Sequence, residues 1–166
     1  MKTRRLRVDP GASHVSLEAS QLGLLKHRCR FTRFQGNVSL AGERSVATAE
    51  LRIRASSLSS AFGRALDRVA ALVLLEADRH PWVTVHARDL HLAGGSGRVL
   101  ASLTLRGRTA QVPLQVTIDE QGTDGSVRFS VEARVDRREW GVAESLPGVR
   151  LGNQISIRAA VRAVPA

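Results

Sequence analysis

Apolar and polar residues alternate along most of this chain, and the alternation is interrupted once, between residues 58 and 85. Before the break Ala47, Ala49, Leu51 and Ile53 share one parity; after it Val83, Val85 and Ala87 resume it. A period of two is that of a β-strand with one buried face. Within the break, Phe62, Leu66, Val69 and Val73 recur at helical spacing, with Ser59 and Ser60 ahead of them as N-cap candidates. The helix must end before Pro81, which has no N–H to donate and restricts the residue before it. One short amphipathic helix between long strands predicts a sheet that curls around a cavity, with the helix as its lid.

The remaining strands follow from the same rhythm. Leu6 to Asp9 opens the chain and turns at Pro10-Gly11; Val15, Leu17 and Ala19 then share a face. Gln21 to Lys26 reads as a loop or single turn around Gly23. Arg28 to Leu40 reads as one long strand, with Cys29 and Phe31 in one phase and Phe34, Gly36, Val38 and Leu40 in the other. The slip at Thr32-Arg33 predicts a β-bulge. Gly94 to Gly97 is a hairpin turn without the lysine of a phosphate loop. Val99, Ala101, Leu103 and Leu105 run into the turn Arg106-Gly107-Arg108-Thr109, answered by Val112, Leu114, Val116 and Ile118. Pro113, on the opposite parity, belongs near an edge or irregularity. A turn at Gly122 to Gly125 leads to Val127, Phe129, Val131, Ala133 and Val135. A loop from Arg138 to Arg150 precedes the last strand, whose inward set is Ile155, Ile157, Ala159 and Val161.

About eight antiparallel strands of this length can close into a barrel whose interior just holds a ligand, with a sandwich as the alternative. Small inward residues (Ala47, Ala49, Ala101, Ala133 and Ala159) would leave the centre open. The chain, residues 1–166, reads as a single domain. It has no run near the roughly 20 apolar residues that span a bilayer, and Met1 to Arg5 is basic without a hydrophobic stretch behind it, so a cytoplasmic location is expected.

Charge and candidate chemistry change this picture little. The net charge of +10 is almost all arginine, set at polar positions such as Arg52, Arg54, Arg128, Arg134, Arg158 and Arg162. That predicts a solvated face, while leaving open attraction to nucleic acid or anionic membrane. With no tyrosine and four phenylalanines, stacking platforms for single strands are scarce. Cys29 is the only cysteine, which excludes an internal disulfide. It reads as an inward hydrophobe, or else as a thiol activated by Arg28 and Arg30. His14, His27, His80, His86 and His91 lack ligand spacing, with His86 and His91 expected on opposite faces, so no metal is assigned. Asp9 reads as a turn residue, His14 as a strand start, and Asp136 and Glu139 as surface ion-pair partners. No G-x-S-x-G elbow occurs, and no residue is assigned a catalytic role.

The order of these elements resembles the YceI-like family of polyisoprenoid-binding, lipocalin-like proteins, from about Leu6 to Val164. The pieces that carry it are Val8-Asp9-Pro10 with Ser13-His14-Val15, Leu22-Gly23-Leu24-Leu25, and Phe31 with Phe34-Gln35-Gly36. They continue with Ala55-Ser56-Ser57-Leu58, Ala77-Asp78-Arg79-His80-Pro81, and Leu103 to Thr109 with Val112-Pro113-Leu114. Asp136 to Gly141 and Leu151-Gly152-Asn153-Gln154-Ile155 complete them. Leu74-Leu75 departs from the pattern, standing where a pair of aromatics is common. The resemblance implies an all-β fold: an extended antiparallel, eight-stranded lipocalin-like β-barrel with one short helical segment. Its tunnel would bind, without catalysis or cofactor, an isoprenoid or other long-chain lipid such as a quinone or polyprenyl chain. Transient membrane contact and a homodimer are admitted as partners and nucleic acid is set aside; the alternative is a basic surface-binding protein, for nucleic acid or anionic membrane, with a filled barrel.

The expected cavity lining combines strand parity with the helical stripe. It comprises Val15, Leu17, Phe31, Phe34, Val38, Ala49, Leu51, Ile53, Leu66, Val69, Val73, Val83, Val85, Leu103, Phe129, Val131, Ala133, Trp140, Ile155 and Ile157.

Overall fold

The alternating segments form long antiparallel strands in the computed structural model, which describes residues 3–21, 25–42, 45–92, 95–142, 145–146, 149–150 and 152–166. Met1, Leu22, Gly23, Leu24, Gly94 and Leu151, named above in segments and motifs, lie outside the described residues. In chain order the strands are β1 (Arg4–Val8), β2 (His14–Gln21), β3 (Leu25–Phe31), β4 (Phe34–Leu40), β5 (Ser45–Arg54) and β6 (Leu58–Ser60). The helix α1 (Arg64–Leu74) follows, then β7 (Trp82–His91), β8 (Ser96–Leu105), β9 (Arg108–Gln121) and β10 (Val127–Asp136). A small hairpin, β11 (Ser145–Leu146) and β12 (Val149–Arg150), precedes β13 (Gln154–Pro165).

The sheet runs β1-β4-β5-β7-β8-β9-β10-β13, and β13 pairs back with both β1 and β2, which closes an eight-stranded antiparallel barrel. β1 with β2, and β3 with β4, are single staves that bend. The bends at Pro10–Ala12 and Thr32-Arg33 take backbone groups out of the ladder, and two buried serines replace the lost partners. Ser13 Oγ donates to Asp9 O (2.6 Å) and accepts from Arg162 N (2.9 Å). Ser57 Oγ donates toward Arg54 O (2.8 Å), while its carbonyl accepts from Thr32 N (3.1 Å). Thr32-Arg33 is therefore a break between β3 and β4 and not a bulge within one strand. Asp9 is the turn residue expected, its carboxylate accepting from Gly11 N (3.1 Å) and Arg162 (3.3 Å).

Bulges elsewhere shift strand phase. In the β5–β7 pairing Val46 faces Leu90 and Thr48 faces Arg88, so Ala47 and Asp89 are both left out of the ladder. Asp89 takes a φ of +53°. Val46, not Ala47, is consequently the buried residue there. The same slip turns His86 and His91 to one outer side of β7, correcting the opposed placement that uninterrupted alternation predicts. The β8–β9 hairpin is the tight turn expected, with φ of +55° at Arg106 and +71° at Gly107. Pairing of β9 to β10 stops at Gln115, so Pro113 sits where β9 has a partner on one side only.

The helix departs most from expectation. Ser59 and Ser60 are extended in β6, paired with β3, and the N-cap position is Gly63 (φ +98°) with no side-chain cap. Ser60 acts instead as a donor: its N–H (2.9 Å) and hydroxyl both bond the Asp67 carboxylate. The chain leaves the helix well before Pro81, with Glu76 at φ +48°. The buried residues are Ala70, Ala71 and Leu74, whereas Val69, Leu72 and Val73 face solvent. Small residues let the helix approach the barrel rim closely, and a stripe counted from the larger side chains selects the wrong side.

Gly36 in β4 shows how tightly the wall is drawn. A Cβ there would lie 2.6 Å from Glu50 O and 2.9 Å from a Val8 methyl. Backbone that close has no rotamer by which to yield. Gly36→Ala should destabilise the fold by about 1–3 kcal/mol, read as a lowered urea midpoint with unchanged slope; a midpoint equal to wild type would contradict this packing.

Candidate functional site: a two-chambered apolar interior

Alternation points one face of every stave into the barrel, and the two ends of that interior are filled. At the end away from the helix, Leu6, Leu92, Val127 and Ala163 are almost wholly buried. At the helix end, Trp140 is fully buried and its indole N–H donates to Leu103 O (3.1 Å). Between the two plugs, Leu17, Leu51, Val85, Val131 and Ile157 point inward yet are only partly buried. Side chains of this kind are normally the best buried in a domain. Here they border empty space.

That space forms two abutting cavities, of about 170 Å³ next to α1 and about 140 Å³ toward the far plug. Each is comparable with an engineered apolar cavity of about 150 Å³ that stays dry and accepts benzene. They share Val15, Ile53, Val85, Leu103 and Ile157, which form a waist between them. The surface facing the first chamber is apolar throughout.

The expected lining residues fall mostly around these chambers. Val15, Leu17, Phe31, Ile53, Leu66, Val83, Val85, Leu103, Trp140, Ile155 and Ile157 border the chamber beside the helix. Val38, Ala49, Leu51, Phe129 and Val131 border the far one. Four do not fit. Val69 and Val73 lie on the outward face of α1, as does Leu72. Phe34 is buried at the β3–β4 bend but borders a surface groove with Arg33, Arg54 and Trp82. Ala133 points inward but is packed into the wall, in register with Ile157. Lining residues absent from the expectation include Leu105, Leu114, Val116 and Ala159, which extending the same strand parity would have captured. Ala70, Leu74 and Leu75 were hidden by the misread helix face.

Two of the sequence motifs meet at the helix end of the barrel. Asp136 caps the 3-10 turn Arg137–Trp140 by accepting from Arg138 N (2.9 Å), and the Arg138 side chain donates to both its oxygens, Nε to Oδ1 (3.0 Å) and Nη2 to Oδ2 (2.6 Å). Those side-chain bonds hold the Asp136 carboxyl down to about 2. Arg137, buried beside the first chamber, donates to Gly152 O (3.1 Å), Asn153 Oδ1 (2.7 Å) and Val142 O (2.8 Å). It thereby ties the turn that carries Trp140 to the start of β13. From the β8–β9 turn, Arg106 bonds the Trp140 and Gly141 carbonyls and pairs with Glu76 (3.0 Å), fastening the end of the helical segment to the same corner. Asp67, which Ser60 holds, also borders the chamber.

Cys29 takes the inward reading. It borders the first chamber, and burial, with Asp67 adding to it, pushes its thiol up. Arg28 and Arg30 are on the opposite, exposed face, where Arg28 pairs with Glu18 across the strand (3.2 Å). Two more arginines pair across strands in the same way: Arg158 with Glu132 (3.9 Å) and Arg128 with Glu120 (3.8 Å). Arg52 and Arg54 stack on Trp82, 4.4 and 5.1 Å from its ring.

Residues 6–163 match the YceI-like domain, and the chain belongs to that family. No curated protein shows a significant sequence match. Among solved structures, the chain is similar to BcnA of Burkholderia cenocepacia, at 20% identity and a TM-score of 0.79 over 93% of this chain and 98% of that one. It is equally similar, at a TM-score of 0.79 and 17% identity, to a polyisoprenoid-binding domain from Saccharophagus degradans implicated in plant cell wall breakdown; 99% of this chain and 100% of that one are covered. The YceI protein of Campylobacter jejuni aligns at 17% identity and a TM-score of 0.73, over 83% and 84% of the two chains. At these identities the likeness is one of fold.

The two faces of α1 should respond differently to charge. Ala70→Asp, which forces a carboxylate toward the apolar chamber, should cost about 1–3 kcal/mol. Val69→Asp on the outward face should stay within about 0.5 kcal/mol of wild type. Urea denaturation of both variants checks this, and the reverse ranking would mean that the helix is rotated.

Proposed function

We propose that the protein is a non-enzymatic carrier that holds the hydrocarbon of an isoprenoid-type lipid, a quinone tail or a polyprenyl chain, within the barrel. The observation that carries this reading is the pair of chambers joined at a shared waist, a long apolar space with plugged ends and no filled centre. A straight core would waste contacts by leaving such voids, since interiors otherwise pack as densely as organic crystals. The printed description of the Saccharophagus degradans domain as polyisoprenoid-binding supports the same ligand class.

The chemistry of the wall fits a tail and not a head group. A buried methylene contributes about 0.8 kcal/mol, so ten give roughly 8 kcal/mol. That corresponds to about micromolar affinity before ordering costs are subtracted. Because the first chamber presents only apolar surface, the tail would lie within it and the polar end at its border, beside Ser60, Asp67 and Arg137. The competing reading, a basic surface protein with a filled barrel, gains nothing from a hollow interior, and Arg28, Arg128, Arg158 and Arg162 are engaged in ion pairs.

Enlarging small residues on the chamber wall separates the two readings. Ala49→Leu with Ala159→Leu would fill the far chamber, so stability should hold or rise while uptake of a fluorescent prenyl probe falls. Ala133→Leu, in the packed wall, should cost about 1–3 kcal/mol. Thermal melts of the apo protein beside probe titrations measure both effects. A double variant that is strongly destabilised, or that binds the probe as wild type does, would remove the support for a carrier.

A further inference from the structure

The helix that borders the first chamber has a second face with no role in the fold. At about 100° per residue, Ala65, Val69, Leu72 and Val73 fall within one arc of about 100°, opposite the buried Ala70, Ala71 and Leu74. Val69 is 37% exposed, and Leu72 and Val73 are each 46% exposed. Single exposed apolar residues are ordinary on a protein surface, but a cluster on one helical face marks an interaction site. The charge beside the cluster is of one sign. Arg64 and Arg68 are exposed on the same helix, and its one carboxylate, Asp67, is turned inward and held by Ser60. An exposed apolar face flanked by arginines, on a chain of net charge +10, is complementary to an anionic bilayer surface.

We propose that the outward face of α1 docks on the surface of an anionic lipid bilayer, with Val69, Leu72 and Val73 inserted among the acyl chains and Arg64 and Arg68 against the head groups. The inference takes its purpose from the carrier reading, because a lipid that enters the barrel must leave a membrane and α1 stands between the chamber and solvent. Its geometry needs no motion. The helix lies along the interface with one face toward the bilayer and the other toward the chamber. With 11 residues it is far too short to span a membrane, and only partial insertion fits it.

The test is cosedimentation of the full chain with vesicles of phosphatidylcholine alone and of phosphatidylcholine mixed with phosphatidylglycerol. Wild type should bind the mixed vesicles, bind the neutral ones far less, and release at high salt. Arg64→Gln with Arg68→Gln should weaken binding to the mixed vesicles about thirty-fold. Leu72→Gln with Val73→Gln should weaken it at least tenfold, the scale of losing two apolar side chains from the interface. Because these side chains are exposed, the melts of both double variants should match wild type, and so should binding of the fluorescent prenyl probe without vesicles. Wild type that ignores the mixed vesicles, or variants that bind them as wild type does, would overturn the docking surface. A concentration-dependent dimer abolished by Leu72→Gln with Val73→Gln, in the absence of vesicle binding, would overturn it too and assign the face to a second copy. Vesicle binding that survives a failure of the prenyl-probe titration would uphold the docking surface while removing the carrier reading.

Discussion

Closing eight staves into a ring joins the last strand to the first, but a ring this small closes only if its staves bend. Each bend withdraws backbone donors and acceptors from the ladder, and a buried unpaired group costs as much as a lost hydrogen bond. The rest of the structure depends on how that cost is met. At one bend Ser13 joins the Asp9 carbonyl to the Arg162 amide, and at the other Ser57 joins β3, β4 and the end of β5. Both are buried, and both lie in short motifs that carry the resemblance to the YceI-like family. At these two positions the motif serves closure. Gly36 belongs with them, allowing two staves to approach more closely than any side chain would permit.

Once closed, the barrel is filled from its ends and not from its middle. Trp140 and its supporting arginines occupy one end; Leu6, Leu92 and Ala163 occupy the other. The polar groups that secure the first plug, Arg106 and Arg137, spend their hydrogen bonds on carbonyls and side chains around it. Specific polar chemistry therefore serves to hold the shape of the cavity, and the cavity itself is apolar. Under the proposed carrier reading, such a site would discriminate by length and cross-section of hydrocarbon. Helix α1 then adds an outer surface whose chemistry matches that of a membrane.

Much of this was legible in the sequence because a period of two is a strong signal for inward and outward faces. Leu17, Leu51, Val85, Val131 and Ile157 follow directly from it. What parity cannot report is where a strand gains a residue. The paired bulge at Ala47 and Asp89 reverses the phase of β5 and β7, and the break at Thr32-Arg33 looks the same in sequence as a bulge would. The helix was misread for another reason. Its buried contacts are made by Ala70 and Ala71, which weigh little in a hydrophobic pattern, while the larger Val69 and Val73 are exposed. Ala133 shows the limit of composition: a small inward residue can mark a void, as Ala49 does, or a close contact between staves.

The central claim is that the interior is a place for a long apolar chain. Its most direct test is organic extraction and mass spectrometry of the purified protein after equilibration with a mixture of prenyl lipids and removal of the excess. A prenyl lipid recovered in near-equimolar amount, with its hydrocarbon length selected from the mixture, is the predicted result. Recovery no greater than from an unrelated protein of the same net charge would contradict the account, because surface adsorption alone would then explain all that was bound.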